Sequence, residues 1–173
     1  MSASSTNSDG ADNPRLVTLQ ANDGTQFVVD YEVIRRFIPL IHEMLNDLGD
    51  EETTEVIPVD ECSGPILRMV LDWCEHHRDD EEPKLEEEFQ EESRAMPDWD
   101  VALFSGGMDE LSGITKAANY LEIHLLLERC SRYLANLVEG RSTEEMRNIF
   151  GIVADFGPGE EEKIRQENQW AVE

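Results

Sequence analysis

Two short runs rich in β-forming residues stand near the start of this sequence, and nearly everything after them follows a helical period. Residues 16–20 and 27–29 flank Asn22-Asp23-Gly24, whose Asp-Gly pair favours a tight turn, so they predict a β-hairpin. A third, short strand is predicted at 56–59. Strands followed by longer helical segments predict an α+β domain with a small three-stranded sheet.

The helical segments are separated by proline, glycine and polar residues. Apolar residues recur at helical spacing from 31 to 48, where Pro39 divides the run into two short helices. A stronger amphipathic helix begins after Ser63, the predicted N-cap, and Pro65 is tolerated in its first turn. A short helical segment and two long helices follow, the second ending at Gly140. The inner face of the Ser63 helix is predicted to contain Ile66, Val70, Trp73 and Cys74.

The chain is strongly acidic, with 39 Asp and Glu against 14 Lys and Arg and a net charge of −25. This charge repels phosphate backbones and anionic lipid, so neither nucleic acid nor a membrane is an expected partner. Apolar stretches such as 123–127 are far shorter than the roughly 20 residues of a membrane span, and residues 1–13 lack the pattern of a signal peptide. We expect the protein in the cytoplasm and nucleus.

Two segments are too polar to pack into a core. Residues 1–14 contain almost no apolar side chains and are predicted to be a disordered tail. Residues 79–92 contain nine acidic residues and one lysine, which predicts a solvated loop over 78–97 because like charges repel. The folded domain is therefore expected to span 15–138, and residues 139–173 to form separate C-terminal helices.

No pattern in the sequence predicts a catalytic, cofactor or metal site. Adjacent His76 and His77 point about 100° apart on a helix, and no second Cys/His cluster completes a metal site. Cys62, Cys74 and Cys130 are an odd number at wide spacing, which fits reduced thiols better than a disulfide framework. We expect no enzyme; the enzymatic alternative would require a turnover that is lost with Cys74 or His77.

The C-terminal segment has few apolar residues, and they are large. Ser142-Thr143-Glu144-Glu145 predicts a capping box that starts a helix, and a last helix is predicted at about 160–169. That last helix has only Ile164 to bury, too little to stabilise it alone. Large apolar side chains spread thinly over an acidic segment are typical of an exposed, partner-binding patch: Phe150, Ile152, Phe156, Ile164 and Trp170.

Several short strings make the chain resemble the Skp family of adaptor subunits in SCF-type ubiquitin ligases. They cover about 15–173, nearly the whole chain. The strings are Leu19-Gln20-x-x-Asp23-Gly24, Met44-Leu45-x-Asp47-Leu48, Trp73-Cys74-x-His76-His77-x-Asp79-Asp80, Pro97-x-Trp99-Asp100, Ala117-Ala118-Asn119-Tyr120-Leu121, Thr143-Glu144-Glu145, Phe150-x-Ile152, Asp155-Phe156 and Glu167-Asn168-Gln169-Trp170. The resemblance implies a BTB/POZ fold, a small sheet wrapped by helices, with a two-helix C-terminal extension.

The resemblance also implies a function and its surfaces. Members of that family are non-catalytic adaptors for ubiquitin-dependent protein degradation, which link a cullin scaffold to F-box substrate receptors. Asn119 and Tyr120, which by themselves read as a turn between two helices, would face the cullin. The F-box-binding residues would be Leu111, Ile114, Phe150, Ile152, Phe156, Ile164, Asn168 and Trp170.

An alternative is a BTB-type interaction module that self-associates or pairs with a partner other than a cullin. A plain dimerisation module has no need of residues 150–170, which favours the adaptor; for the free adaptor we expect at most a weak homodimer. The chain departs from the family at Ser112 and Lys116, where bulky apolar residues are usual. Gly157-Pro158-Gly159 replaces a start of the last helix that contains Thr, and since some members carry a modified proline here, Pro158 is a candidate modification site.

Overall fold

A computed structural model describes residues 15–48, 56–80, 96–153, 156–157 and 159–168. The predicted tail, most of the predicted acidic loop, Pro158 and Trp170 lie outside this description. The strands are β1 (Leu16–Ala21), β2 (Gln26–Asp30) and β3 (Val56–Val59). The helices are α1 (Tyr31–Phe37), α2 (Pro39–Leu48), α3 (Gly64–His76), α4 (Asp98–Phe104), α5 (Met108–Tyr120), α6 (His124–Val138), α7 (Thr143–Phe150) and α8 (Glu160–Glu167). The predicted α+β class is confirmed.

The three strands form one sheet in the order β2-β1-β3. β1 and β2 are antiparallel, with Leu19 opposite Phe27, whereas β1 and β3 are parallel. In the hairpin turn the Gly24 N–H donates to the Ala21 carbonyl at 2.9 Å, and Ala21 N–H donates to the Thr25 carbonyl at 2.9 Å. Gly24 has a φ of +84°, a conformation that favours glycine. The hairpin predicted from the Asp-Gly pair is confirmed.

One face of the sheet carries the core. Side chains alternate between buried and accessible along all three strands, so that Val17, Leu19 and Ala21 of β1 lie inside. Helices α1 to α6 add apolar side chains to the same buried cluster, including the fully buried Trp73 and Phe104. Helix α3 packs against α5, α1 and both hairpin strands. Most of the sequence's large apolar residues are thereby removed from water.

The start of α3 differs from the prediction. Ser63 occupies the N-cap position but its side chain makes no capping hydrogen bond. The Gly64 N–H donates instead to a carboxylate oxygen of Asp23, at 3.0 Å. The hairpin turn therefore caps α3 across 41 positions of sequence. The inner face of α3 also contains Leu67 and Leu71, while the predicted inner residue Ile66 is only half-buried, because the helix is rotated relative to the predicted stripe.

The chain divides into two compact units, Met1–Ala135 and Asn136–Glu173, so the division falls within the last turn of α6. The boundary expected from the sequence lies at 138. The first unit contains the sheet and α1 to α5 with most of α6, and the second contains α7 and α8. Among the described helices, none has the length and apolar character needed to cross a lipid bilayer.

Candidate partner-binding surfaces

The second unit exposes large apolar side chains. All five that the structure describes between 150 and 164 are at least 40% exposed: Phe150, Ile152, Val153, Phe156 and Ile164. Val153, which the sequence reasoning missed, is the most exposed at 82%. Val153 could have been predicted from the sequence, because it is an apolar residue that directly follows Ile152 at the end of a helix. Trp170, the remaining member of the predicted patch, lies outside the described residues.

Helix α7 is held at both ends by local hydrogen bonds. The Ser142 hydroxyl accepts from Glu145 N–H at 3.3 Å, and the Glu145 carboxylate accepts from Ser142 N–H at 2.8 Å, so the predicted capping box is confirmed. The backbone hydrogen bond from Ser142 lowers the pKa of Glu145. Gly151 ends the helix with a φ of +63°, and Ile152 N–H donates back to the Arg147 carbonyl at 2.8 Å. This closed turn projects Ile152 and Val153 beyond the helix.

Helix α8 begins without a side-chain cap. Gly159 stands at its N-cap with no capping hydrogen bond from a side chain, while the Glu160 carboxylate accepts from Gly157 N–H at 3.0 Å. At the other end the Asn168 side-chain amide donates to the Ile164 carbonyl at 2.8 Å. Asn168, a predicted F-box contact, thus also satisfies a carbonyl at the helix end. The helix ends at Glu167, two residues before the predicted end.

Asn119 and Tyr120 are the last two residues of α5, and both are exposed. The turn that follows is closed by Ile123 N–H, which donates to the Ala118 carbonyl at 2.8 Å. The residue with left-handed backbone is Glu122, at a φ of +60°, so Asn119 does not have the turn conformation that its residue type suggested. Partial burial and then Asp60, Cys62 and Glu61 raise the pKa of Tyr120. The connection between β3 and α3 therefore adds acidic side chains beside Tyr120.

Leu111 and Ile114, the other predicted F-box contacts, are core residues in this structure. They are 1% and 0% exposed and belong to the cluster of buried apolar side chains of the first unit. Their helix, α5, packs closely on α3 at Gly113, where an added Cβ would lie 2.7 Å from Ile66 Cδ1. Their role in F-box binding stays a prediction, and direct contact with a partner would require uncovering both side chains.

A buried polar network joins two of the motif strings, 73–80 and 97–100, that lie apart in the sequence. The fully buried carboxylate of Asp100 accepts from Trp73 Nε1 at 3.1 Å and lies 2.8 Å from His77 Nε2. The other ring nitrogen of His77 is 2.6 Å from an oxygen of Asp80. The second Asp100 oxygen is 3.9 Å from Arg129 Nε. These contacts attach α4 to the end of α3, so the histidine pair has a structural role at His77.

Burial limits the reactivity of the three cysteines. Cys62, Cys74 and Cys130 are buried free thiols, and burial raises the pKa of Cys62 and Cys130 to about 11. Burial raises the pKa of Cys74 as well. A thiol in such a state forms little thiolate, the reactive species, at neutral pH. In the described ranges, no group of three His, Cys, Asp or Glu side chains could hold a metal ion.

These features define a protein-interaction module: a small sheet packed with helices, followed by a helical unit that leaves apolar side chains exposed. Comparison with known families shows which family this module resembles. A model described as the Skp1 family tetramerisation domain matches residues 15–79, and one described as the Skp1 family dimerisation domain matches residues 124–171.

Full-length relatives are similar along almost the whole chain. A protein of Arthroderma benhamiae named E3 ubiquitin ligase complex SCF subunit sconC is 37% identical over 159 residues, covering 91% of this chain and 95% of that protein. Its namesake in Aspergillus fumigatus is 39% identical over 158 residues, covering 91% and 98%. Suppressor of kinetochore protein 1 of Schizosaccharomyces pombe is 39% identical over 158 residues, covering 90% and 96%.

The chain therefore belongs to the Skp1 family. This confirms the family that the sequence strings indicated, and the first unit fits the BTB/POZ-like fold that the resemblance implied.

Proposed function

We propose that this protein is the adaptor subunit of an SCF-type E3 ubiquitin ligase, acting in the cytoplasm and nucleus. It links a cullin scaffold to F-box substrate receptors and so supports ubiquitin-dependent protein degradation. The observation that carries this proposal is the exposed apolar group of the second unit, in a chain that belongs to the Skp1 family. An adaptor performs no chemistry itself, and the buried thiols described above agree with that role.

The cullin surface is proposed at the end of α5. Asn119 and Tyr120 are exposed there, and Tyr120 combines an apolar ring with a hydroxyl that can bond to a partner. Asp60 and Glu61 contribute negative charge beside Tyr120. The cullin side chains that meet this surface should therefore be basic, since complementary charge favours correct docking.

The F-box surface is proposed on the second unit. Phe150, Ile152, Val153, Phe156 and Ile164 are the described apolar residues that a partner could cover. Burying several such side chains supplies a large part of the affinity of an interface, and aromatic anchors contribute most. Arg147 already lies over the Phe156 ring, 5.4 Å from its centre, which orients one of the two aromatic side chains.

Paired binding measurements test whether the two surfaces act separately. Asn119→Ala with Tyr120→Ala should weaken cullin binding by about tenfold or more and leave F-box binding unchanged. Phe150→Ala with Ile152→Ala should do the reverse. Val101→Ala, at another exposed apolar residue of the first unit, is the control and should change neither. Loss of both partners in either double variant, with the circular dichroism spectrum unchanged, would show that the two surfaces are not separate.

A second candidate function, self-association, is favoured by the family model over 124–171, which carries the description of a dimerisation domain. A second copy could cover the same apolar side chains in the free protein, although two chains of net charge −25 repel each other. We propose at most a weak homodimer, which an F-box protein displaces. Sedimentation equilibrium with and without an F-box peptide distinguishes this from a stable self-associating module.

A further inference from the structure

The outer edge of β2 is an open sheet edge in the described part of the chain. Tyr31 N–H donates to the Arg15 carbonyl, and Ala21 N–H donates to the Thr25 carbonyl. These two bonds show which positions of the hairpin are hydrogen-bonded between β1 and β2. In an antiparallel pair the bonding direction alternates, so the backbone groups of Gln26, Val28 and Asp30 point away from β1. No strand pairs with them among the described residues. The Asp30 carbonyl serves the first turn of α1 because Asp30 is its N-cap, so two complete backbone N–H and C=O pairs, those of Gln26 and Val28, are available.

The two edges of the sheet differ. The edge strand β3 contains Pro58, which lacks an N–H and is a common means of preventing further strand pairing. The edge strand β2 contains neither proline nor lysine. At its centre the β-branched Val28 is 66% exposed. Since Val28 lies on the sheet face opposite the core, its side chain could pack against a neighbouring strand.

Beside this edge lies a groove. Its volume is about 210 Å³, and its other wall is one stripe of α3, spaced by three and four residues as on a single helix face. The groove is lined by Gln26, Phe27, Val28, Val29, Arg68, Leu71, Asp72 and Glu75. A strand edge facing a helix is the geometry in which an extended peptide can add to a sheet and place alternate side chains in a groove.

The charges on the helical wall favour a basic occupant. The Arg68 guanidinium keeps its positive charge but lies on the Phe27 ring, with its carbon 5.1 Å from the ring centre, so the groove lining carries two carboxylates against one cation. Asp72 is exposed, and Glu75 is 3.5 Å from Arg78 at the far end of the stripe. A second copy of this chain, with its net charge of −25, is a poor match to these carboxylates. An extended segment carrying Lys or Arg satisfies both the backbone groups and the charge.

We propose that the groove between β2 and α3 binds an extended, basic segment of another protein, which adds to the sheet as a fourth strand. Its backbone pairs with Gln26 and Val28, and its Lys or Arg side chains approach Asp72 and Glu75. The groove contains none of the residues proposed to contact the cullin or the F-box protein, so failure of this proposal would leave the adaptor function untouched.

The probe is the acetylated and amidated peptide Lys-Val-Lys-Val-Lys-Val-Lys, with a peptide of the same length in which glutamate replaces lysine as its counterpart. Amide exchange provides the structural readout. In the free protein the amides of Gln26 and Val28 should exchange quickly and those of Phe27 and Val29 slowly, because only the latter face β1. The basic peptide should slow exchange at Gln26 and Val28, and the acidic peptide should not.

Two variants of Val28 test backbone pairing. Val28→Pro removes an outward N–H at an edge position where proline is tolerated, and should weaken peptide binding by about tenfold. Val28→Thr keeps the N–H and the β-branched shape, and should bind within about twofold of the unmodified chain. Equal binding by the two variants would overturn the proposal. If Val28→Pro does not fold, the amide-exchange pattern and the charge-reversal variants test the proposal instead.

Charge reversal separates the groove from general attraction to an acidic protein. Asp72→Lys with Glu75→Lys should abolish binding of the basic peptide and permit binding of the acidic one. The control, Glu43→Lys with Asp47→Lys, makes the same charge change on the exposed side of α2 and should have a small effect. Equal losses of peptide affinity in the two double variants would show that the basic peptide binds only by non-specific attraction to an acidic protein. A free dimer that Val28→Pro dissociates would identify a second copy as the occupant and overturn the proposal.

Discussion

The two units of this chain differ in how far their apolar side chains are exposed to water. The first encloses aromatic and aliphatic side chains from three strands and six helices, and several are completely inaccessible to water. In the second, no described side chain is buried, although α7 and α8 are well-formed helices. Local capping can define where a helix begins and ends, but burial supplies most of its stability. The described helices of the second unit therefore depend mainly on local capping, whereas those of the first are stabilised by burial.

The largest expected effect of a substitution is at the buried network of the first unit. Asp100→Ala removes the acceptor shared by Trp73 and His77 and leaves Arg129 without its nearest carboxylate. We expect the free energy of unfolding to fall by about 3–5 kcal/mol, because Trp73 and His77 each lose a buried hydrogen-bond partner at a cost of about 1–3 kcal/mol. Urea unfolding measures it. Asp98→Ala, at an exposed position of the same helix, is the control, and a similar loss there would show that the burial of Asp100 is not the cause.

A matched pair of isoleucines tests the contrast between the units directly. Ile114→Ala should lower the free energy of unfolding by about 2–5 kcal/mol, because it opens a cavity in the first unit. Ile152→Ala makes the same chemical change in the second unit, where the side chain is exposed, and should change stability by less than about 0.5 kcal/mol. Equal effects of the two substitutions on urea unfolding would contradict the distinction between an enclosed and an open unit.

A smaller effect is expected at the hairpin turn that caps α3. Hydrogen bonds from Thr25, then from Gly64, hold the pKa of Asp23 below its ordinary value near 3.8. Asp23→Ala should lower the unfolding temperature by a few degrees at pH 7. Because the pKa is lower in the folded state, the stabilisation is present above the unfolded value and is lost as pH falls through the folded value.

Thermal unfolding at several pH values checks this prediction. The difference between the unmodified chain and Asp23→Ala should persist from pH 7 to about 5 and shrink below pH 4. Ser63→Ala is the control, because its side chain makes no capping hydrogen bond and its loss should leave the start of α3 intact. A larger effect at Ser63 than at Asp23 would restore the sequence-based assignment of the cap.

The sequence predicted those features that depend on neighbouring residues. The Asp-Gly turn, the division of a helix at Pro39 and the capping box at Ser142 are each formed by side chains and backbone within four residues of one another. The exposure of Phe150 and Ile152 was also predictable, because a short acidic helix has too few apolar residues to form a core. The strings that identified the family were likewise read without a structure.

Other features were decided only by the tertiary structure. The carboxylate that caps α3 comes from Asp23, and the partner of His77 is Asp100, 23 positions away. Leu111 and Ile114 have the same apolar character as exposed partner contacts, and only the close packing of α5 on α3 distinguishes them as core. Local patterns report propensity and period, whereas partners across the chain depend on how sheet and helices are arranged in three dimensions. That arrangement also determines which edge of the sheet is left unpaired among the described residues.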